Sequence, residues 1–241
     1  MKLQFKEQDF QIQAVQSVVD CFAGQTQKSN SFKLERSKEI LRKTKEAASA
    51  QGALDFGAVE EEIGYRNAPI KLTEGQVFKN IKEVQRNNDL NESTQIERPK
   101  KITSGYNLTV EMETGTGKTY TYLRSMYELH KKYGWSKFII VVPSIAIREG
   151  VYKSVEVTQD HFQEVYGHKI SAFIYDSKRP QDIESFASDN RISVMIINTQ
   201  AFNANPDAKG KDARRIHREL DQFGTRKPID IIAQTNPILV I

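Results

Sequence analysis

The stretch from Asn107 to Lys132, NLTVEMETGTGKTYTYLRSMYELHKK, admits few folds. Leu108, Val110 and Met112 alternate with polar residues as in a strand with one buried face. From Thr119 onward, Leu123, Met126, Tyr127, Leu129 and Tyr133 recur at helical spacing. Between the two lies Thr114-Gly115-Thr116-Gly117-Lys118-Thr119, so the expected unit is strand, glycine-bearing loop, helix. Lys131 and Lys132 suit the negative end of that helix, and Gly134 suits its C-terminal cap. A strand that turns directly into a helix belongs to an α/β fold, in which helices cover a sheet.

The loop residues also carry a chemistry. Gly115 and Gly117 let backbone N–H groups close around phosphate oxygens, and Thr114 and Thr116 are expected to bind the nucleotide with them. Lys118 reaches the β/γ-phosphates, the Thr119 hydroxyl holds Mg²⁺, and the helix N-terminus adds partial positive charge. The full pattern GxxxxGK[ST] places its first glycine where Met112 stands, so the match is incomplete. An ordinary strand-turn-helix with a fortuitous lysine is the alternative, and the strand and helix patterns on either side favour the phosphate loop. Upstream, Phe10-Gln11-Ile12-Gln13-Ala14-Val15 fits an aromatic-Gln-x-x-Ala-Val pattern. A glutamine amide held at a helix start offers the donor and acceptor that adenine N7 and N6 require. Elsewhere such a glutamine is merely solvated; Gln11 gains its weight from lying upstream of a phosphate loop. The implied cofactors are ATP and Mg²⁺.

The remaining chain reads as a soluble protein with one α/β core, or one core with a small appendage. No run approaches the ~18 apolar residues that span a membrane, and MKLQFKEQDFQ has no apolar signal core, so the default compartment is cytoplasmic. The net charge of +4 comes from 35 basic and 31 acidic residues interspersed along most of the chain, which is compatible with nucleic acid without demonstrating it. Cys21 stands alone on an apolar helix face and reads as a small core residue. His130, His161, His168 and His217 are far apart and lack metal-ligand spacing, so zinc is not expected and each reads as a surface or packing residue.

Asp9 to Phe22 is expected to be a helix with Asp9 capping its start and Gly24 its end. Phe32 to Gln51 has helix-forming composition and a thin apolar row at Leu34, Leu41 and Ala48. Its Lys/Arg run reads as a solvated face in preference to a nucleic-acid contact. Thr73 and Gln76 form a capping box ahead of Val77, Phe78, Ile81 and Val84, and Asp89 to Gly105 is a polar linker. After the loop helix come an apolar strand at Phe138–Val142, a helix over Ser144–Val165 and a strand at Ile170–Tyr175. A short helix over Pro180–Ala187 and a strand at Ile192–Ile197 follow. Asn203–Asp212 reads as a polar loop, Ala213–Phe223 as a charged helix, and Pro237–Ile241 as the start of a last strand. This alternation predicts a parallel sheet. The expected organisation is 1–23 as the adenine-motif helix of the core, 24–104 as a mainly helical and polar insertion, and 105–241 as an incomplete nucleotide-binding core.

A hydrolytic phosphate loop normally works with an acidic pair at the end of a neighbouring strand. The apolar runs after Thr119 end at Pro143, Asn198 and the last residue; Asp176 closes FIYD, but no second acid follows it. The pair is therefore expected beyond Ile241, which leaves no catalytic residue within 1–241.

Taken together, Gln11, METGTGKT, VVPS (Val141–Ser144) with Arg148 beyond it, and the strand end IINTQ appear in the order found in superfamily 2 helicases. The wording NLTVEMETGTGKTYTYLRSMYELHKKYGWSKFIIVVPSIAIREGV resembles the Res subunit of type III restriction-modification enzymes. The resemblance covers about residues 3–23 and 105–241. It implies a RecA-like motor domain that hydrolyses ATP, translocates on duplex DNA and leads to cleavage with a methyltransferase (Mod) partner. Carried over, Gln11 binds adenine, Lys118 and Thr119 bind phosphates and Mg²⁺, and Ser144, Arg148 and Thr199 contact the DNA backbone. The Ser144 and Thr199 hydroxyls equally suit a helix cap or a turn, and Arg148 equally suits a plain surface position. A superfamily 2 helicase or repair translocase without nuclease activity, and a non-catalytic nucleotide- or DNA-binding fragment, remain as alternatives.

Overall fold

The computed structural model describes residues 5–34, 62–99, 105–202, 216 and 227–241. They fall into two compact units, each drawn from three stretches of chain. One comprises Met1–Lys28, Pro69–Trp135 and Val157–His168; the other comprises Ser29–Ala68, Ser136–Glu156 and Lys169–Ile241.

In the first unit, α1 (Asp9–Asp20), α2 (Glu74–Asn87) and α3 (Lys118–Tyr133) supply the core. Val15 and Val19 of α1, Val77 of α2, and Leu123, Met126, Tyr127 and Leu129 of α3 are buried. Helical periodicity puts each set on one face. The Tyr133 hydroxyl donates to Val19 O at 2.8 Å, and Phe22 meets Trp135 edge-on at 5.1 Å, which fastens the end of α1 to the end of α3. Asn80 of α2 donates to Ala23 O at 2.9 Å. The capping box forms as the sequence predicts: Thr73 Oγ1 accepts from Gln76 N–H, and Gln76 Oε1 accepts from Thr73 N–H. Gly134 closes α3 at φ 76°, with its N–H donated to His130 O. Cys21 is buried, and burial pushes its thiol up to about 11.

Two expectations in this unit are corrected. Asp9 is the first helical residue; Gln8 takes the N-cap position and makes no side-chain cap bond. Residues 107–112 form no strand, and Val110 is 45% exposed. Alternation alone does not make a strand, because its N–H and C=O groups need a neighbouring ladder.

The second unit holds β3 (Lys137–Val142), β4 (Ser171–Ile174), β5 (Ser193–Asn198) and β6 (Ile238–Val240). They form a parallel sheet in the order β4-β5-β3-β6. This is the α/β parallel sheet flanked by helices that the alternation predicts. Every residue of β3 is buried, as a continuous apolar run requires when both faces are covered. Ile139 and Val141 of β3 and Met195 and Ile197 of β5 share one core with Ile183, Phe186 and Ala187 of α5 (Gln181–Ser188). Ile231 and Ile232 of α7 (Pro228–Gln234) join them. Helix α4 (Ile145–Tyr166) runs between β3 and β4 in sequence, and α6 (Thr199–Phe202) follows β5.

This unit also contains an antiparallel pair, β1 (Ser29–Leu34) with β2 (Glu62–Asn67). The helix expected from Phe32 is thus a strand at its start, and its remainder lies outside the described residues, as do the predicted loop at Asn203 and, apart from the buried Ile216, the helix at Ala213. Phe32 pairs with Gly64, and its ring covers the glycine so closely that a Cβ there would meet ring carbons at 2.5–2.9 Å. Gly64→Ala is expected to destabilise by about 1–3 kcal/mol through overpacking, read as a lower denaturant midpoint at unchanged slope.

Asn67 ends β2 and is 2% exposed. Its Oδ1 accepts from Ser136 N–H (2.7 Å) and Lys137 N–H (2.9 Å), while its Nδ2 donates to Lys137 O (2.8 Å). The side-chain amide therefore stands in for a strand neighbour at the entry to β3. Its backbone N–H donates to Thr235 O at 2.9 Å, and its carbonyl accepts from Asn236 Nδ2 at 3.2 Å.

Lys137 is fully buried in β3, where its ammonium donates to Phe186 O at 2.5 Å and to Asp189 O. It thereby supplies donors to carbonyls at the C-terminal end of α5. Burial lowers its pKa from 10.5 to about 8, against the pull of Asp189. Between those two values the unfolded chain binds more protons than the folded one, so this group adds stability as pH rises from about 8 to 10.5. Lys137→Met should lack that increment. Comparing unfolding free energies of the two proteins across the window cancels the buried tyrosines and Cys21, and parallel pH profiles would contradict the assignment.

Among the described residues, no helix is long and apolar enough to cross a membrane.

Candidate nucleotide site

The loop from Thr114 to Gly117 has the backbone that its glycines allow. Gly115 and Gly117 adopt φ 84° and 86°, a region that strains any residue with a Cβ. Thr116 Oγ1 donates to Glu113 O at 2.6 Å and closes the turn. Helix α3 starts at Lys118 without a side-chain cap, and Thr121 N–H donates to Gly117 O at 3.0 Å. The N–H groups of Lys118, Thr119 and Tyr120 therefore have no acceptor within the helix. Thr114, Gly115 and Lys118 are exposed. Uncapped amides, the positive end of a four-turn helix and a free ammonium together form a donor set for phosphate oxygens.

Gln11 lies in the first turn of α1, and its Nε2 donates to Thr116 O at 2.8 Å. At Gly117 a Cβ would stand 2.5 Å from that same nitrogen, so any other residue here is strained in φ and would displace the Gln11 amide. The structure thus brings Gln11, Thr116 and Gly117 together. One amide hydrogen is engaged by the loop, which leaves the second hydrogen and Oε1 as a donor–acceptor pair. That residual pair fits a purine edge carrying an amino group beside a ring nitrogen. Were ATP and Mg²⁺ bound, Lys118, the loop amides and Thr119 would be the groups to hold the phosphates, and the Thr119 hydroxyl the group to hold the metal.

Around the start of α3, the Tyr120 hydroxyl shares a 2.9 Å hydrogen bond with His161 Nε2, and the Phe5 ring stacks on Tyr120 at 5.9 Å. Burial, then the charge of Arg124, lowers the His161 pKa, and burial raises that of Tyr120. Sequence reading missed Phe5 and Arg124, which no motif marks because their role depends on contacts across the fold, whereas His161 packs against Phe5, Tyr120 and Phe162 in keeping with the packing role expected of it. His130 and His168 pack ring against ring at 5.4 Å, in keeping with the packing role expected of them. A polar groove between α1 and α2, lined by Asp9, Gln13, Gln16 and Asn88 among others, includes neither Gln11 nor the loop.

The residues expected to contact DNA belong to the sheet-bearing unit. Val142 and Asn198 are register partners, so Ser144 and Thr199 follow the C-terminal ends of neighbouring strands. Ser144 Oγ accepts from Ile147 N–H at 3.3 Å as a helix cap, which leaves its O–H free to donate. Thr199 Oγ1 donates to Val142 O at 3.1 Å, so its proton is already engaged. Arg148 pairs with Glu149 at 2.9 Å, while its buried Nε has no partner among the described residues. Asn198 Oδ1, which sequence reading did not single out, is likewise buried without a partner. Asp176 accepts from Lys178 N–H at 2.9 Å and serves a turn.

Comparison with known proteins bears on these features together. Residues 4–226 match the family model described as type III restriction enzyme, res subunit. The Res subunit of the Escherichia coli type III restriction-modification enzyme EcoP15I is 30% identical over 192 residues, which is 73% of this chain and 19% of that protein. The EcoPI Res subunit of Escherichia phage P1 is 29% identical over 192 residues, with the same coverage of each chain. The StyLTI Res subunit of Salmonella typhimurium is 35% identical over 156 residues, 56% of this chain and 15% of that protein. The chain thus spans less than a fifth of the length of these relatives. With nearly its whole length covered by one family model, on a parallel sheet flanked by helices, the chain belongs to the type III restriction enzyme res-subunit family.

Proposed function

We propose that this chain is the ATP-binding portion of a superfamily 2-type motor, within a subunit that uses ATP to translocate on and cleave duplex DNA with a methyltransferase (Mod) partner. The observation that carries the reading is the hydrogen bond from Gln11 Nε2 to Thr116 O. It joins an adenine-type glutamine to a phosphate-type loop and makes one site of two motifs far apart in sequence. Gly115, Gly117, Lys118 and Thr119 form the phosphate half, with Thr114 and Thr116 shaping the turn. Ser144 is the stronger DNA-backbone candidate, because its O–H is unengaged among the described residues. Arg148 has a buried Nε and a guanidinium paired with Glu149, and it reaches a phosphate only by leaving that pair. Thr199 reaches a phosphate only by releasing Val142 O. Residues 1–23 and 105–241 form the nucleotide-binding core in this reading, and 24–104 an insertion that includes β1, β2 and α2.

The chain should bind ATP with Mg²⁺ and release no phosphate, with or without duplex DNA, because none of the apolar runs after Thr119 ends in a pair of acidic residues. Titration with a fluorescent ATP analogue, followed by a phosphate-release assay, tests both parts. Absence of nucleotide binding would overturn the site, and Lys118-dependent turnover would show that a metal-binding acid lies within residues 1–241.

A further inference from the structure

Gln11 can read a base only if α1 keeps its register against the loop, and a second set of contacts fixes that register. Arg124, in the second turn of α3, has a side chain only 11% exposed, and its Nη1 pairs with Glu7 Oε1 at 2.8 Å. The same nitrogen lies 3.3 Å from the Tyr120 hydroxyl, which in turn meets His161 Nε2. Phe5 stacks on Tyr120 and leans on His161 at 5.1 Å. The segment immediately before α1 is thereby tied to the first two turns of the helix whose N-terminus is the phosphate loop. The Glu7 carboxylate is 45% exposed, so the pair alone holds the segment only modestly, and it acts together with the Phe5 ring contacts.

Amide orientation supplies the second step. Because Gln11 Nε2 already donates to Thr116 O, flipping the amide would set Oε1 against that carbonyl. Oε1 is left to accept from an exocyclic amino group, as on adenine, and it repels the O6 of guanine. We infer that the Glu7–Arg124 pair, with Phe5 on Tyr120, is a strap that positions Gln11 and so sets selectivity for adenine over guanine nucleotides. Arg124 is thus a positioning residue acting through Gln11. This rests on the nucleotide-site reading above.

The test measures binding of fluorescent ATP and GTP analogues to the chain, with inorganic tripolyphosphate as a competitor that has no base. Wild type should prefer ATP by roughly 5- to 100-fold, the discrimination one bidentate amide–base contact provides. Arg124→Met and the milder Glu7→Gln should each remove most of that preference while tripolyphosphate competes as before, and Arg124→Lys should restore part of it. Unchanged ATP/GTP ratios in Glu7→Gln and in folded Arg124→Met, or no preference in wild type, would overturn the strap. Glu7→Gln alone decides the matter if Arg124→Met does not fold. Should Lys118→Ala leave both nucleotides and tripolyphosphate bound, the phosphate site itself is refuted instead.

Discussion

Lys118→Ala is expected to weaken ATP binding by roughly 10- to 100-fold, the range for losing a charge-assisted hydrogen bond to phosphate. The melting temperature should stay within about 2 °C, because exposed side chains without partners contribute little to stability. Lys118 is exposed at the first position of α3 and forms no side-chain hydrogen bond among the described residues, so its removal touches the site and not the core. The two loop glycines sharpen the experiment. Both have positive φ, but a Cβ on Gly115 enters open space, whereas one on Gly117 meets Gln11 Nε2 at 2.5 Å. Gly115→Ala therefore imposes backbone strain alone. Gly117→Ala adds displacement of a flexible amide from Thr116 O, and it should lose adenine preference as well as affinity. Calorimetric titration of the three variants with ATP and GTP separates these effects; equal behaviour of the two glycine variants would argue against the Gln11 contact.

Asn67→Leu should destabilise the chain by about 3–5 kcal/mol, among the largest effects open to a single polar side chain. The substitution keeps the branched outline of the side chain, adds volume at a buried site, and strands the Ser136 and Lys137 N–H groups and the Lys137 carbonyl, all of which bond to the Asn67 amide in the buried interior. Each such orphan costs about 1–3 kcal/mol. Asn67→Asp is informative beside it. A carboxylate keeps both acceptor contacts but cannot donate to Lys137 O, and it buries a charge, so it too should be less stable than wild type. Urea denaturation gives the comparison, and a shift below about 1 kcal/mol for Asn67→Leu would mean that another group takes over the entry to β3.

Legibility followed the range of the forces involved. The capping box at Thr73 and Gln76, the glycine stop at Gly134 and the apolar runs of β3 and β5 are set by neighbours a few residues away, and the chain displays them directly. The pair β1–β2 was hidden because each strand is defined by a partner more than twenty-five residues distant, and Gly64 depresses strand propensity until Phe32 covers it. Conversely, Leu108, Val110 and Met112 carry the strand pattern without a ladder. Helix α7 has 7 residues, too few for a helical period to show in the sequence. At the site, Gln11 and the glycines were visible as residue types. Their connection was not, because the acceptor is a backbone carbonyl, which every residue has and no residue type announces.

The bond between Gln11 and Thr116 spans 105 positions of sequence. Closing a loop of that length is entropically demanding, yet the cost grows only logarithmically, by about 0.6 kcal/mol for each doubling. The chain between α1 and the phosphate loop can therefore lengthen or shorten considerably among relatives with little change in the stability of this closure. The same separation delays the contact kinetically, since a nucleus built from local helices must form before distant partners meet. Nucleotide-binding competence should accordingly appear late in refolding, after most helical signal has been recovered.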